Sequence, residues 1–416
     1  MARPGQQVVV GDRLADRIGV GVLAKVFPAE MVDRVVGEAG VRELRTRTLP
    51  ARVVVYYVLA MVLFFQSGYG EVWNKLVAGL DWAKRFQVRL ALGMQPTPAA
   101  ITYARRRVGW QVMARLLEEV AGPLAGEESG SAFVSGMRMV AVDGMCLDLP
   151  DSAENAAEFG YPSNGERRGP FPQIRVVALG ECGTRAVLGA ATSGLATGEQ
   201  PLTRQLLGKL SPGDVLLAER NFLSHGLAKD VLGRGVHILW RAKSDISLPV
   251  LDVLADGTYL SRIADPVASR RMRRKGAEAT DIPGVTVRVV EYSVESQDAS
   301  ETSETFTLVT DVCDPAMLSA EQAAAAYASR WRLETCFSEL ETSLRGGAAV
   351  VLRSKSPDMI RQEIFAMLCC YQAIRTLISH AAGHSGLDPG RISFTRTRDA
   401  IRGRISDSGS FSPSAT

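Results

Sequence analysis

GDVLLAERNF, residues 213–222, is the stretch from which the rest of the chain can be read. Val215-Leu216-Leu217-Ala218 is an apolar run bounded by Gly213-Asp214, too short for a helix, and reads as a buried strand. It runs out into Glu219-Arg220-Asn221. An acid at the C-terminal end of such a strand is well placed to be a metal ligand, because a carboxylate is the hard oxygen donor that Mg2+ selects.

Outward from this strand the texture is that of a mixed α/β domain. MRMVAVDG (137–144), QIRVVALG (173–180) and TRAVLGAA (184–191) read as three successive strands, and EQPLTRQLLGKL (199–210) as a helix. After Glu219 come a helix around 222–233 and the strand VHILWRAK (236–243). Residues 244–312 interrupt the alternation. VTVRVVEY and TFTLVT are strand-like, but SRRMRRK and SVESQDASETSE are not, so this is a strand-containing insertion with exposed loops. A strong helix at 320–345 and another near 357–379 return the chain to the domain, and the tail at 401–416 has the composition of a disordered segment.

Before AGPLAGEESGSA (121–132), which reads as a linker, residues 12–121 are almost wholly helical in pattern. The resulting domain plan is a helical N-terminal domain at 1–125, then an α/β domain at 133–400 with its insertion at about 244–312. VVVYYVLAMVLFF (53–65) is shorter than the ~20 residues a membrane span needs and reads as a buried helix. The N-terminus lacks the apolar segment of a signal peptide. Arg105, Arg106 and Arg107 fall together on a helix that starts after Pro98, as either a DNA-contacting face or a solvated one.

Composition excludes some classes. At 46% hydrophobic and 22% charged with a net charge of +3, the 416-residue chain is an ordinary globular protein, so any surface for nucleic acid must be local. Six cysteines without a C-x-x-C pair, and four scattered histidines, argue against zinc or a disulfide framework and for reduced cytoplasmic thiols. RRMRRK (270–275) places Arg270, Arg271, Arg273, Arg274 and Lys275 in one loop that suits phosphate contact. Trp240 and Trp331 are expected in packing roles, and Cys369-Cys370 in a buried helix.

Three acids stand out by position: Asp143 at the end of the first strand, Glu219 at the end of the fourth, and Glu334 in the helix after the insertion. On that helix Phe337, Leu340 and Leu344 fall within about 40° of Leu333 at helical spacing and form a buried stripe with it. Tyr327, Arg330, Glu334, Glu341 and Arg345 lie roughly 60° to 120° around, on its flank. Arg330–Glu334 and Glu341–Arg345 are also i,i+4 pairs, so geometry alone leaves open a salt-bridge ladder or a site.

YASRWRLETCFSELE (327–341) resembles the Y-x2-R-x3-E-x6-K signature of DDE transposases of the insertion sequence 4 family, found in bacterial insertion elements, and the likeness runs on through LRGGAAVVLRSKSPDMIRQEIFAML. VAVDGMCLDLPDSAENAAEFG resembles that family's first-aspartate block and PGDVLLAERNF its second, while the N-terminal helices resemble its N-terminal domain. The resemblance covers about the whole chain. It implies an RNase H-like catalytic domain with a strand-rich insertion, and cleavage and rejoining of DNA phosphodiester bonds. The implied cofactor is a pair of Mg2+ ions, for which Mn2+ can substitute, held by Asp143, Glu219 and Glu334. Tyr327 and Arg330 match the signature's DNA-contacting residues. Asp148 and Asp151 stand close by, but the block alignment favours Asp143.

The partners implied are double-stranded DNA, as the element's terminal inverted repeats and as target, and a second copy of the chain in a synaptic homodimer. The implied location is cytoplasmic, at the nucleoid, with no membrane. DNA contact extends by the same argument to Arg345, Arg105, Arg106 and the cluster at 270–275.

Two positions depart from the pattern. Glu219 stands where the family has aspartate and carries its carboxylate ~1.3 Å further out, against a Mg2+ geometry that tolerates little. Glu341 stands where the signature has lysine, with Arg345 one turn on to pair with it or replace the lysine. These departures weaken cleavage in the leading reading, a transposase; the alternative reading is a catalytically inactive DNA-binding derivative.

Overall fold

The computed structural model describes residues 23, 25–43, 49–77, 95–126, 129–164, 167–294, 304–347 and 350–403. The N-terminal stretch 1–15, most of SVESQDASETSE and residues 404–416 of the expected tail lie outside them. Residues 401–403, also assigned to the tail, close a helix, Phe394–Gly403, whose Ile401 is buried.

Two compact units emerge. The first is drawn from the described residues of Met1–Val120, Leu340–Ile378 and Ser393–Thr416; the second is Ala121–Glu339 with Ser379–Ile392. By compactness, therefore, the C-terminal part of the expected 133–400 domain groups with the N-terminal helices.

In the first unit the helices are α1 (Ala29–Glu38), α2 (Ala51–Leu63), α3 (Tyr69–Val77), α4 (Pro98–Val108) and α5 (Gln111–Val120). The apolar run expected to be a buried helix is α2, closed in from Val53 to Leu63. Thr97 caps α4 by accepting from Ala100 N–H, with Pro98 in the first turn, and Gly109 at φ +74° breaks it from α5. The long helix at Pro357–Ser385 belongs here up to Ile378. Its Cys369 thiol reaches Met113 O and its Cys370 thiol reaches Leu59 O, at 3.5 and 3.4 Å. Length and composition alone would let this helix cross a membrane, but 72% of its most apolar window is buried inside the protein.

Arg105 corrects an expectation. Its guanidinium is fully buried, donating to Gln362 Oε1 at 2.9 Å and Tyr69 Oη at 2.8 Å, with Glu363 at 3.4 Å. It cannot reach a DNA phosphate, because the charge is spent neutralising Glu363 inside the core. Of its neighbours, Arg106 is exposed and Arg107 pairs with Glu43 at 2.9 Å.

The second unit is built on one mixed sheet. Its strands are β1 (Met137–Asp148), β2 (Gln173–Glu181), β3 (Val187–Gly194), β4 (Val215–Ala218), β5 (His237–Arg241), β6 (Asp252–Val253), β7 (Tyr259–Ala264), β8 (Gly284–Val294) and β9 (Glu304–Thr310). The spatial order is β3-β2-β1-β4-β5-β9-β8-β7-β6. β1, β2 and β3 pair antiparallel, and β1-β4-β5 run parallel. That is the arrangement of an RNase H-like domain, here carrying a strand-rich insertion. The insertion extends the sheet rather than standing apart from it, because β9 takes the free edge of β5 through Val309↔Trp240. The parallel strands pack at full burial, with Val215 to Ala218 all closed off, as the apolar run in GDVLLAERNF requires.

Two insertion features differ from the sequence reading. β6 and β7 were not anticipated. RRMRRK is not a loop: it ends a helix, Pro266–Arg273, that Asp265 caps by accepting from Val267 and Ala268 N–H. The Asp-Pro start was the missed signal.

Arg105→Ala should lower the stability of the chain by about 3–5 kcal/mol, because it strands Glu363 as a buried unpaired charge. Arg106→Ala should move stability by less than about 0.5 kcal/mol. Equilibrium urea unfolding of the two variants checks both.

Candidate active site

Register on the central strands brings two of the three acids side by side. β1 and β4 are parallel neighbours with Ala141 opposite Leu217. Two residues further along each strand come Asp143 and Glu219, both with their side chains past the fully buried run. β1 itself continues to Asp148, so Asp143 lies within the strand, opposite Ala178, rather than at its end. Glu219 does follow directly on β4.

The third acid arrives on a helix packed across this sheet. The expected single helix at 320–345 is divided into α-helices Ala320–Ala328 and Trp331–Ser338 and a π-helical turn, Glu339–Leu344. The inward stripe survives the division: Leu333, Phe337, Leu340 and Leu344 are all buried. Leu333 fits onto the sheet because Gly180 has no side chain there; a Cβ at that position would come within 2.6 Å of Leu333 Cδ1. Arg332 donates to Gly183 O at 3.3 Å, and Arg185 pairs with Glu339 at 2.9 Å, fixing the helix to the β2–β3 turn. Glu334 is the next residue after Leu333.

At the break between the two helices sits Arg330, 7% exposed. Its Nη1 lies 3.3 Å from Asp143 Oδ2 and its Nη2 2.7 Å from Glu334 Oε1. The i,i+4 pair that sequence spacing offered therefore forms, and its arginine also reaches the strand acid Asp143. Burial pushes the Asp143 carboxyl up to about 6 against the pull of Gly144 N–H and Arg330, and Glu219 and Glu334 push it the same way. Glu219's charge thus reaches Asp143, while its own Oε1 accepts from Asn221 Nδ2 at 2.6 Å.

Asp148 and Asp151, near in sequence, are occupied elsewhere: Asp148 accepts from Gln173 Nε2 at 2.8 Å, and Asp151 accepts from the Tyr161 hydroxyl. Among the described residues, no three Asp, Glu, His or Cys side chains stand close enough together to hold a metal ion. The donor chemistry nevertheless suits a hard divalent cation: the groups are carboxylates, and the charges of Glu219 and Glu334 both reach Asp143. Arg330 now supplies the positive charge that two of them share.

Other expected contacts are placed as follows. Tyr327 is 3% exposed, its ring edge-on to Phe306 at 6.3 Å, and burial raises its hydroxyl. Arg345 is 1% exposed and pairs with Glu341 at 3.4 Å, in the first unit. As a direct phosphate contact Arg345 is a correction of the same kind as Arg105: its guanidinium lies in the interior. Arg270, Arg271, Arg273, Arg274 and Lys275 are exposed. Trp240 is fully buried, as expected, but Trp331 is 61% exposed with Arg330 5.9 Å over its ring, contrary to the packing role expected of it. Its neighbours Leu333 and Phe337 take the inward stripe, so helical spacing turns Trp331 outward.

Sequence reading passed over Glu199, the first residue of helix Glu199–Leu206. A Cβ on Gly144 would stand 2.4 Å from Glu199 Oε1, so the glycine after Asp143 makes room for this fourth carboxylate. Burial raises Glu199, Arg175 lowers it, and Glu219 raises it further. The available signal was GEQ directly after a strand and turn, with the acid at a helix start.

Comparison with known proteins bears on the same residues. Residues 17–118 match a family described as insertion element 4 transposase N-terminal, and residues 134–373 match the transposase DDE domain. The chain is similar to transposase InsG for insertion sequence element IS4 of Escherichia coli (strain K12), 23% identical over 379 residues, which is 90% of this chain and 80% of that one. It is also similar to the putative transposase InsZ of the same organism, 23% identical over 220 residues, covering 53% of this chain and 70% of that one. A cryo-EM structure of piggyBac transposase, in a synaptic complex with hairpin DNA, aligns with a TM-score of 0.49 and 11% identity over 95% of this chain and 82% of that one. With its DDE domain model matched from residue 134 to 373 and an insertion element 4 N-terminal region before it, this chain belongs to the DDE transposases of the insertion sequence 4 family.

Proposed function

We propose that the chain cleaves and rejoins phosphodiester bonds at the ends of its insertion element, with Asp143, Glu219 and Glu334 as the metal-holding acids. The observation that carries this reading is the convergence of Asp143 and Glu334 on Arg330, with Glu219's charge felt at Asp143. Carboxylates are brought together against their own repulsion only where something offsets the cost, and a site for cations is the chemical use of such a cluster.

The ions proposed are two Mg2+, with Mn2+ able to substitute. A divalent cation held by these acids would supply Lewis-acid activation of the phosphodiester and of the attacking water or 3′-hydroxyl. What the chain itself contributes follows from its own groups. Asp143 must release its proton, and a carboxyl held at about 6 is ionised at neutral pH. Arg330 pairs with Asp143 and Glu334, and its guanidinium fork is of the kind that matches a phosphate bidentately. Tyr327, buried behind Arg330, fixes where that guanidinium sits, 5.8 Å over the tyrosine ring.

Affinity for DNA is assigned to Arg106 and to the exposed cations at 270–275, which form no ion pair among the described residues. Five side chains of one sign on one helix end and turn make a backbone-phosphate contact without base specificity. The partners proposed are the element's terminal repeats and target DNA, held by a homodimer because two ends must be joined. The domain plan carries over with them: helices before residue 125 for element-end binding, and the α/β domain for chemistry. A second reading, a DNA-binding derivative that does not cut, is favoured by one observation: Glu341 reverses the signature's charge, and its partner Arg345 is buried rather than available to DNA.

Three outcomes test this. On a supercoiled plasmid carrying the flanking repeats, the unsubstituted chain should nick with Mg2+ and lose more than about 100-fold in rate as Glu219→Ala. If only Glu219→Asp nicks, the site stands and the second reading replaces the first.

In the metal-free chain the Asp143 carboxyl should ionise as pH rises through about 6. Its folded value lies above its ordinary 3.8, so folding takes up a proton between those two values and stability falls as pH rises through the same window. Asp143→Asn should therefore be more stable than the parent above pH 6, by on the order of 1–3 kcal/mol, and match it below about pH 4. Calorimetry across that range reads the difference.

Replacing Arg270, Arg271, Arg273, Arg274 and Lys275 together by Gln should flatten the dependence of log K on log salt by up to about 4 units while leaving sequence preference unchanged. Filter binding across salt concentrations checks it.

A further inference from the structure

Glutamate at the second acid position has a long arm, and three side-chain torsions leave its carboxylate free to wander unless something holds it. Holding such an arm costs up to about 2 kcal/mol of rotamer entropy, which a fixed hydrogen-bond partner offsets. The loop after β4 and the start of helix Glu199–Leu206 contain such a partner, built in three steps.

Ser224, the cap of the helix His225–Leu232, accepts from Leu227 N–H and donates its own hydroxyl to Gln200 Oε1 at 2.7 Å. That bond fixes which way the Gln200 amide faces, leaving its Nε2 to donate to Asn221 O at 2.9 Å. Asn221, whose backbone is thereby pinned, donates Nδ2 to Glu219 Oε1 at 2.6 Å. The turn is closed beneath by Phe222 N–H donating to Glu219 O at 3.1 Å and by the fully buried Phe222 ring. The approach of the helix start is itself secured, since Arg175 on β2 donates to Thr197 O at 2.5 Å just ahead of Glu199.

We propose that Asn221 and Gln200 are positioning residues that hold the Glu219 carboxylate in the site. Asn221 takes up one carboxylate oxygen and leaves the other to face the cation, and Gln200 acts one step further back by fixing Asn221. The inference rests on the assignment of Glu219 as a metal-holding acid. It accounts for a polar chain of Ser, Gln and Asn running across the exposed mouth of the sheet and ending on a carboxylate. An aspartate at 219, one methylene shorter, would fall short of the Asn221 amide, so the device belongs to glutamate.

Mn2+ binding to the full chain, followed by the loss of free-ion electron paramagnetic resonance signal, tests this without relying on turnover. Asn221→Ala should weaken Mn2+ binding about 10-fold, and Gln200→Met, which keeps the shape but removes the amide, by a smaller factor. Both variants should keep the parent's melting temperature and DNA affinity, because Asn221 is exposed and Gln200 only half-buried. In a Glu219→Asp background Asn221→Ala should cause no further loss, since the bond it deletes is already absent.

The same loss in both backgrounds, or no loss in the parent, overturns the positioning role. If Glu219→Ala itself leaves Mn2+ binding intact, the fault lies with the metal assignment of Glu219. If Glu219→Ala abolishes binding while Asn221→Ala does not, the fault lies with the positioning role alone. A parent chain that takes up no Mn2+ overturns both.

Discussion

Two carboxylates from elements far apart in the chain share one guanidinium, and the local architecture can be understood from what that sharing requires. Asp143 sits inside a strand at the centre of the sheet; Glu334 sits on a helix that lies across it. Left alone, two half-buried anions at this separation would repel, and the helix would tend to lift away. Arg330, one turn before Glu334 and almost wholly buried, removes the repulsion and ties the helix break to the strand. The apolar side of the same helix completes the contact, with Leu333 seated in the space left by Gly180. Packing and charge neutralisation thus act at adjacent residues, which is why a short helix of eight residues suffices to hold the site.

Positive charge elsewhere in the chain divides into two kinds. Some arginines are interior components. Arg105 and Arg345 lie in the first unit, and Arg288 is buried in the second, where it reaches Asp256 and Thr258 at 2.6 and 2.8 Å. These are enclosed inside the fold beside acidic partners, out of reach of a ligand at the surface. The cations at the end of helix Pro266–Arg273 are the opposite case, exposed and unpaired among the described residues. A net charge of +3 says nothing about which kind prevails, because pairing, not number, determines what an approaching phosphate meets.

Glu219, the proposed second acid, keeps the charge of an aspartate on a longer arm. An extra methylene moves the carboxylate outward, and its freedom to rotate spreads it over several positions. Around Glu219 the chain supplies an amide for one oxygen, a main-chain bond behind that amide, and a capped helix behind both. Glu199, folded over Gly144, is a further carboxylate within electrostatic reach of Glu219.

Much of the architecture was legible in the sequence. The succession of strands and helices along the second unit was legible as apolar runs separated by helical stretches, and α2 as an uninterrupted apolar stretch, while the three acids stood out by their places beside those elements. Arg330–Glu334 was legible as a pair from i,i+4 spacing alone. What spacing could not supply was burial. Arg105 and Arg106 are neighbours on one helix, yet one is fully enclosed and the other exposed. Trp331 and Leu333 are two residues apart and face solvent and sheet respectively. RRMRRK looked like a loop because charge density outweighed the Asp-Pro helix start. Local sequence sets periodicity, propensity and charge, all properties of near neighbours. Which face is covered, which cation is already neutralised and which carboxylates meet depend on residues up to 258 positions away, and only the folded chain brings those together.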